Sequence, residues 1–197
     1  MVADCTIAGR HDFIQCTETL LCMEIMDNPL IDPELINSIR DMLIERGETI
    51  AVGESVTSGL LQAAFSQAMD ASKFYQGGIT AYNVGQKFKH LNVEPIHALN
   101  CDCISEEVAQ DMALNCCTLF KSSFGLGITG YASIVPEKEN DLFAYCAVAY
   151  KQKIVLKEKI EAKEAEPFRV QLFYMRTFLH HLEVFLKRDT PSGGDDM

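Results

Sequence analysis

Three short stretches of the chain carry residue types that can do chemistry together. "GESVTSG", Gly53 to Gly59, places Ser55, Thr57 and Ser58 between an apolar run and a helical one. "AYNVGQK" sets Tyr82, Asn83 and Lys87 behind a second run, and "GLGITG" closes a third with Gly127, Thr129 and Gly130. A serine and a lysine on neighbouring loops are the minimum kit for nucleophilic catalysis. Serine is too weakly acidic to attack unaided, whereas a lysine desolvated in a cleft loses its proton more readily and can serve as base. Hydroxyls and backbone N–H groups at a helix start also suit an anion such as phosphate. Glycines let a ligand come close to the backbone. Each residue has a structural use as well: Ser55, Thr57 or Ser58 as a helix cap, Lys87 in solvent, Tyr82 packing on a strand edge, the glycines as strand ends.

The elements that must position these residues alternate. Asp32-Pro33 supplies a cap and a first-turn proline to "ELINSIRDMLIER", whose Leu35, Ile36, Ile39, Leu43 and Ile44 make one stripe ended by Gly47. Thr49 to Gly53 reads as a strand, Gly59 to Ala68 as a helix, and Gly77 to Asn83 as a second strand. Ser105 caps a helix over "EEVAQDMALNCCTLF", and Gly125 to Gly130 is a third strand. A hairpin turning near Lys151 and Gln152 follows, and "EPFRVQLFYMRTFLHHLEVFLKR" closes the domain as a long helix with Phe168, Leu172, Met175, Leu179, Leu182 and Phe185 inward. The alternation predicts an α/β fold, a single three-layer α/β/α domain with a mixed sheet. In such sheets ligands lie beyond the carboxyl ends of the strands, which singles out the loops Glu54–Gly59, Tyr82–Lys89 and Thr129–Ser133.

Composition narrows the classes of function. The 197 residues fit one sizeable domain, expected over 32–188, with an extension of unassigned structure at 1–31 and a flexible tail at 189–197. A formal charge of −11 and the lack of a basic patch argue against a nucleic-acid partner. No apolar run approaches the roughly 18–20 residues of a membrane span. Eight cysteines occur without a C-x-x-C pair or histidines at zinc spacing, so no metal and no cofactor are expected. With no signal-peptide pattern at the N-terminus, reduced thiols in the cytoplasm are the expectation.

The order "GESVTSGLLQAAF", "FYQGGITAYNVGQK", "ISEEVAQDMA", "GITG" resembles the C-terminal domain of the CinA family. The family pattern runs E-S-C-T-G-G-x-L, G-G-x-x-x-Y-S-N-x-x-K, V-S-E-x-V-A-x-x-M-A and G-I-A-G-P, and the likeness covers most of the chain. Active members are nicotinamide mononucleotide amidohydrolases, which release ammonia and the acid by a serine-lysine pair. The resemblance implies Ser55 as nucleophile, Lys87 as its base, Tyr82 as the family tyrosine, and backbone N–H groups for the oxyanion. It further implies nucleotide binding by Thr57, Ser58, Gly59, Asn83, Thr129, Gly130 and Arg169, a small-molecule substrate, and homo-oligomers. The family's molybdopterin-like N-terminal domain has no room here, so a stand-alone copy is expected.

The chain also departs from the pattern. Val56 and Ser58 replace a cysteine and a glycine, Asn83 stands one position early, and "GITGYASIVPEKEN" replaces G-I-A-G-P and its glycine-rich sequel. The family's G-D-R element and its following arginines shrink to Arg169 in "AKEAEPFRVQ". The alternative expectation is therefore an inactive or repurposed member binding a nucleotide-like ligand or a protein partner. A lysine turned into solvent, away from Ser55, would favour that alternative.

Overall fold

A computed structural model describes residues 30–134, 141–163 and 166–188; the expected tail at 189–197 and nearly all of the extension at 1–31 lie outside them. From Pro33 onward the order is α1 (Pro33–Glu45), β1 (Ile50–Glu54), α2 (Leu60–Ser66), a 3₁₀ turn (Ala71–Lys73), β2 (Tyr75–Thr80), α3 (Val84–Leu91), α4 (Pro95–Asn100), α5 (Glu106–Phe120), β3 (Phe124–Gly130), β4 (Leu142–Tyr150), β5 (Lys153–Ala162) and α6 (Pro167–Arg188). The five strands form one mixed sheet in the order β2-β1-β3-β4-β5. β1 pairs in parallel with both β2 and β3, whereas β3–β4 and β4–β5 are antiparallel.

Local chemistry explains most of these elements. α1 starts on its proline, buries Leu35, Ile36, Ile39 and Leu43, and is followed by Gly47 at φ 63°. β1 is buried at all five positions because it is central and covered on both faces. Lys151 and Gln152 both take positive φ, as a two-residue hairpin turn requires. α5 lies almost on the backbone of β3: a Cβ at Gly125 or Gly127 would stand 2.1 Å from the carbonyl oxygen of Ala113 or Ala109. The glycines there serve close packing of helix on strand.

The layers are three. α5, with α3 and α4, covers one face through Ala51, Leu91, Ala98, Val108, Met112 and Cys116. α6 packs on β4 and β5 and also meets α1 and α2, which completes the opposite layer. In α6 the buried set is Val170, Tyr174, Met175, Phe178, Leu179, Leu182 and Leu186, while Phe168 is exposed. No helix among the described residues is long and apolar enough to cross a membrane.

Two departures from the sequence expectation bear on the site. β2 ends at Thr80 instead of Asn83, and the stretch expected as a loop through Lys89 is helix α3. Asn83 explains both, because its side chain accepts a hydrogen bond from the Gln86 N–H at 3.0 Å and so caps the helix. Lys87 and Leu91, one turn apart, then share the buried face of α3.

Candidate active site

The strand order places β1 between β2 and β3, and the chain leaves β1 toward β2 before returning past it to β3. The connections after β1 and β3 therefore part company, which opens a crevice at their carboxyl ends. A cleft of about 540 Å³ occupies that position. Ser55 and Val56 enter it from just past the end of β1, Tyr82 and Asn83 from the lead into α3, Val84 and Lys87 from α3 itself, and Ala98, Leu99 and Asp102 to Ile104 from α4 and the turn after it. Thr129 to Ser133 follow β3, and Pro167 and Gln171 come from the first turns of α6.

Ser55 is the first residue beyond β1, and its N–H still donates to the Ile128 carbonyl of β3 at 3.0 Å. The strand pairing thus holds the serine rigidly where the sheet ends. Lys87 sits in the first turn and a half of α3, and a helical side chain leans toward the helix N-terminus. That direction takes its Nζ back to the Ser55 Oγ at 2.8 Å and to the carbonyls of Ala81 and Tyr82, each at 3.0 Å. The residue is only 1 % exposed. Burial pushes its ammonium pKa below the ordinary lysine value, an effect that the neighbouring Cys103 partly opposes.

Three acceptors around one nitrogen have a chemical consequence. A neutral lysine amine has two N–H bonds and one lone pair. With the N–H bonds given to Ala81 and Tyr82, the lone pair faces the Ser55 hydroxyl, which then donates to it. The two carbonyls thus aim the lone pair as well as hold the amine.

Glu54, the last residue of β1, is fully buried and was absent from the sequence-level candidates. Its Oε2 accepts from the Thr57 hydroxyl at 2.5 Å and from the N–H groups of Gly59 and Leu61 at 3.2 and 3.1 Å. Its Oε1 accepts from the Gln62 N–H at 3.0 Å. The start of α2 is therefore closed by the chain's own carboxylate. The structure accordingly does not bring Thr57, Ser58 or Gly59 to the cleft. Thr57 is buried against Glu54, Ser58 is exposed at φ 50°, and Gly59 turns its N–H inward at φ 101°. The only sequence signal for this was a carboxylate directly ahead of three hydroxyl-rich positions.

The other expected residues divide. Asn83, Thr129 and Gly130 line the cleft. Thr129 is buried and donates to the Cys103 carbonyl at 2.8 Å, fixing the turn in which Asp102 and Cys103 both take positive φ. Tyr82 stands at the cleft rim with 78 % of the residue exposed, and its carbonyl is what meets Lys87. Arg169 is exposed and outside the lining; its neighbours Pro167 and Gln171 face the cleft instead. Gln171 reaches across to donate to the Val56 carbonyl at 2.9 Å, fixing the residue after Ser55. The Tyr131 carbonyl accepts from the buried Tyr174 hydroxyl at 3.0 Å, and the Tyr131 ring meets Phe143 edge-on.

Comparison with known proteins bears on the fold and the family. A "CinA-like protein" of Picosynechococcus sp. is 43% identical over 94 residues, which is 48% of this chain and 22% of that protein. One from Chlorobium chlorochromatii is 37% identical over 116 residues, 57% of this chain and 27% of its own length. The matched region spans about a quarter of these relatives. Among solved structures, a competence-damaged protein (CinA) superfamily protein from Klebsiella pneumoniae superposes with a TM-score of 0.73 at 23% identity, covering 79% of this chain and 97% of that one. A competence/damage inducible protein from Agrobacterium tumefaciens gives 0.72 at 19% identity over 79% and 97%. The family model described as the CinA C-terminal domain matches residues 32–180, and the chain belongs to that family.

Proposed function

We propose that the cleft hydrolyses a carboxamide, that of nicotinamide mononucleotide or a close relative, with Ser55 as nucleophile and Lys87 as general base and acid. The observation that carries the reading is the Lys87 Nζ, 1 % exposed and 2.8 Å from the Ser55 Oγ, with two carbonyls directing its N–H bonds. Ser55 Oγ adds to the amide carbon while its proton passes to Lys87. Of the β1–α2 turn, the backbone N–H of Val56, the residue after Ser55 on the cleft lining, would receive the oxyanion. The tetrahedral adduct collapses, the C–N bond breaks, and Lys87 returns the proton to the departing nitrogen, which leaves as ammonia. A water molecule then adds to the Ser55 ester, again losing a proton to Lys87, and the acid departs as Ser55 regains its hydrogen. Tyr82 at the rim and Asn83, Thr129 and Gly130 on the walls would contact the rest of the substrate.

The buried lysine weighs against the repurposed alternative, because a desolvated titratable group facing a cleft beside a hydroxyl is the arrangement that functional sites favour. Ammonia release from nicotinamide mononucleotide by the purified protein, with Ser55→Ala and Lys87→Ala alongside, tests the reading. Turnover in the parent that is lost in both variants is the expected result. A folded parent without turnover on this nucleotide, its nucleoside or free nicotinamide would sink it.

A further inference from the structure

A primary carboxamide and the acid made from it have nearly the same shape and differ in hydrogen bonding at one atom. The amide nitrogen donates, whereas the oxygen that replaces it, ionised at neutral pH, only accepts. A side chain that reads this difference has to be an acceptor on the cleft wall near Ser55, held so that it does not swing its own donor into the same place.

Gln171 meets these conditions. It follows Pro167 by four residues on α6, and both line the cleft. Val170 and Tyr174 are buried, and the Tyr174 hydroxyl donates to the Tyr131 carbonyl at 3.0 Å, so this part of α6 is fixed to the loop after β3. A helical side chain leans toward the helix N-terminus, which is the cleft end of α6. The Gln171 Nε2 donates to the Val56 carbonyl, in the residue directly after Ser55, at 2.9 Å. A carbonyl only accepts, so this bond fixes which branch of the side-chain amide is the nitrogen and which the oxygen. Among the described residues it is the one hydrogen bond of the Gln171 side chain, and Oε1 is left as an acceptor. Other polar groups of the lining are committed elsewhere: the Asn83 Oδ1 accepts from the Gln86 N–H at 3.0 Å, and the Thr129 hydroxyl donates to the Cys103 carbonyl at 2.8 Å.

Resting on the amidohydrolase reading above, we propose that Gln171 recognises the nitrogen of the scissile carboxamide: its Oε1 accepts an N–H of the substrate amide and disfavours the carboxylate of the acid. The residue thereby supports the Val56 peptide and the substrate at once. As Lys87 returns its proton to the departing nitrogen, that nitrogen becomes a stronger donor, so the contact tightens along the reaction. Once water has taken the place of the nitrogen, Oε1 faces an oxygen that only accepts, and the acid is released more readily.

The test reads binding, which does not depend on turnover. The full chain carrying Ser55→Ala is titrated by calorimetry with nicotinamide mononucleotide and with nicotinate mononucleotide, and the ratio of the two affinities is compared with and without Gln171→Leu. The preference for the amide is expected to fall about tenfold when Gln171→Leu is added, chiefly through weaker binding of the amide. Gln171→Glu, which keeps an acceptor but loses the donor to Val56, is expected to retain the preference. An unmoved ratio in Gln171→Leu, an equal fall in Gln171→Glu, or binding of neither compound overturns the assignment. An unmoved ratio beside an active parent protein removes Gln171 alone and leaves the serine-lysine reading in place. The expected fall beside an inactive parent sinks that reading and keeps the recognition of the amide.

Discussion

The two sides of the cleft are built on opposite principles. On one side Ser55 and Lys87 line it with Glu54 and Thr57 buried behind them, and the polar groups of these four meet one another or backbone at 2.5–3.2 Å. On the other, Tyr131, Ala132, Ser133, Pro167 and Gln171 are half-buried or exposed, and the Gln171 bond to Val56 is the tie across to the serine. A buried polar network has one arrangement that satisfies every member, so it tolerates little change. A half-exposed wall of turns and helix ends can change shape and charge at small cost. The proposed chemistry resides on the first side and the choice of substrate on the second.

Breaking the buried side should have the largest effect. Ser55→Ala and Lys87→Ala are expected to lower kcat about 10³-fold or more, with circular dichroism unchanged, because proton transfer and nucleophile are both lost. Combining them should cost little beyond either single change; a multiplicative loss would mean that the two residues do not act as one unit.

Glu54→Ala comes next and acts on stability. It strands the Thr57 hydroxyl and three N–H groups at the start of α2, a loss of about 3 kcal/mol in urea titrations. A loss below about 1 kcal/mol would show that water satisfies those donors, and would remove Glu54 from the account of the site.

Lys87 makes the buried side sensitive to pH. Its folded pKa is lowered by burial, so between that value and its ordinary 10.5 the unfolded chain holds a proton that the folded chain has released. Stability should therefore rise with pH across that window, whereas kcat should rise as pH passes through the lower folded value, where the neutral amine forms, and level off above it. Lys87→Met should flatten the lysine part of the stability slope, and a slope unchanged in that variant would assign it to other groups.

The smaller effects belong to the open side and to the turn behind the serine. Gln171→Leu removes one hydrogen bond to Val56, about 1 kcal/mol, and is expected to lower kcat more than it raises KM. An effect on KM alone would make Gln171 a substrate contact instead of a support for the peptide after Ser55. Ser58→Gly relieves a left-handed residue and should stabilise by up to about 1 kcal/mol. A loss of stability there would mean that the serine side chain makes a compensating contact.

This division also marks how far the sequence could be read. The layered mixed sheet followed from the alternation of β-rich and helical runs, and the helices over Pro33–Glu45, Glu106–Phe120 and Pro167–Arg188 followed from caps and stripes. α3 was hidden, because "VGQKFKHL" is polar with an early glycine, and its inward face consists of a lysine and a leucine. Ser55 and Lys87 became a pair through resemblance, since spacing alone gives no distance between residues 32 positions apart. Glu54 looked like an ordinary strand-end charge, and its burial depends on where α2 happens to start. Arg169 failed as a cleft residue for a geometric reason: helical periodicity turns Pro167 and Gln171, four apart, to one side and the residue between them away.

The glycines beneath α5 have a meaning for the history of such a chain. With the Ala109 and Ala113 carbonyls 2.1 Å from where a Cβ would sit, Gly127 and Gly125 admit no substitution unless helix and sheet separate. Thr129, on the same side of β3 two residues on, ties the Cys103 turn to the cleft floor, so any such separation would reach the site. Drift is therefore directional in this molecule: the floor of the cleft is closed to it, while the rim from Tyr131 to Ser133 and the first turns of α6 stay open, and new substrates would be acquired there.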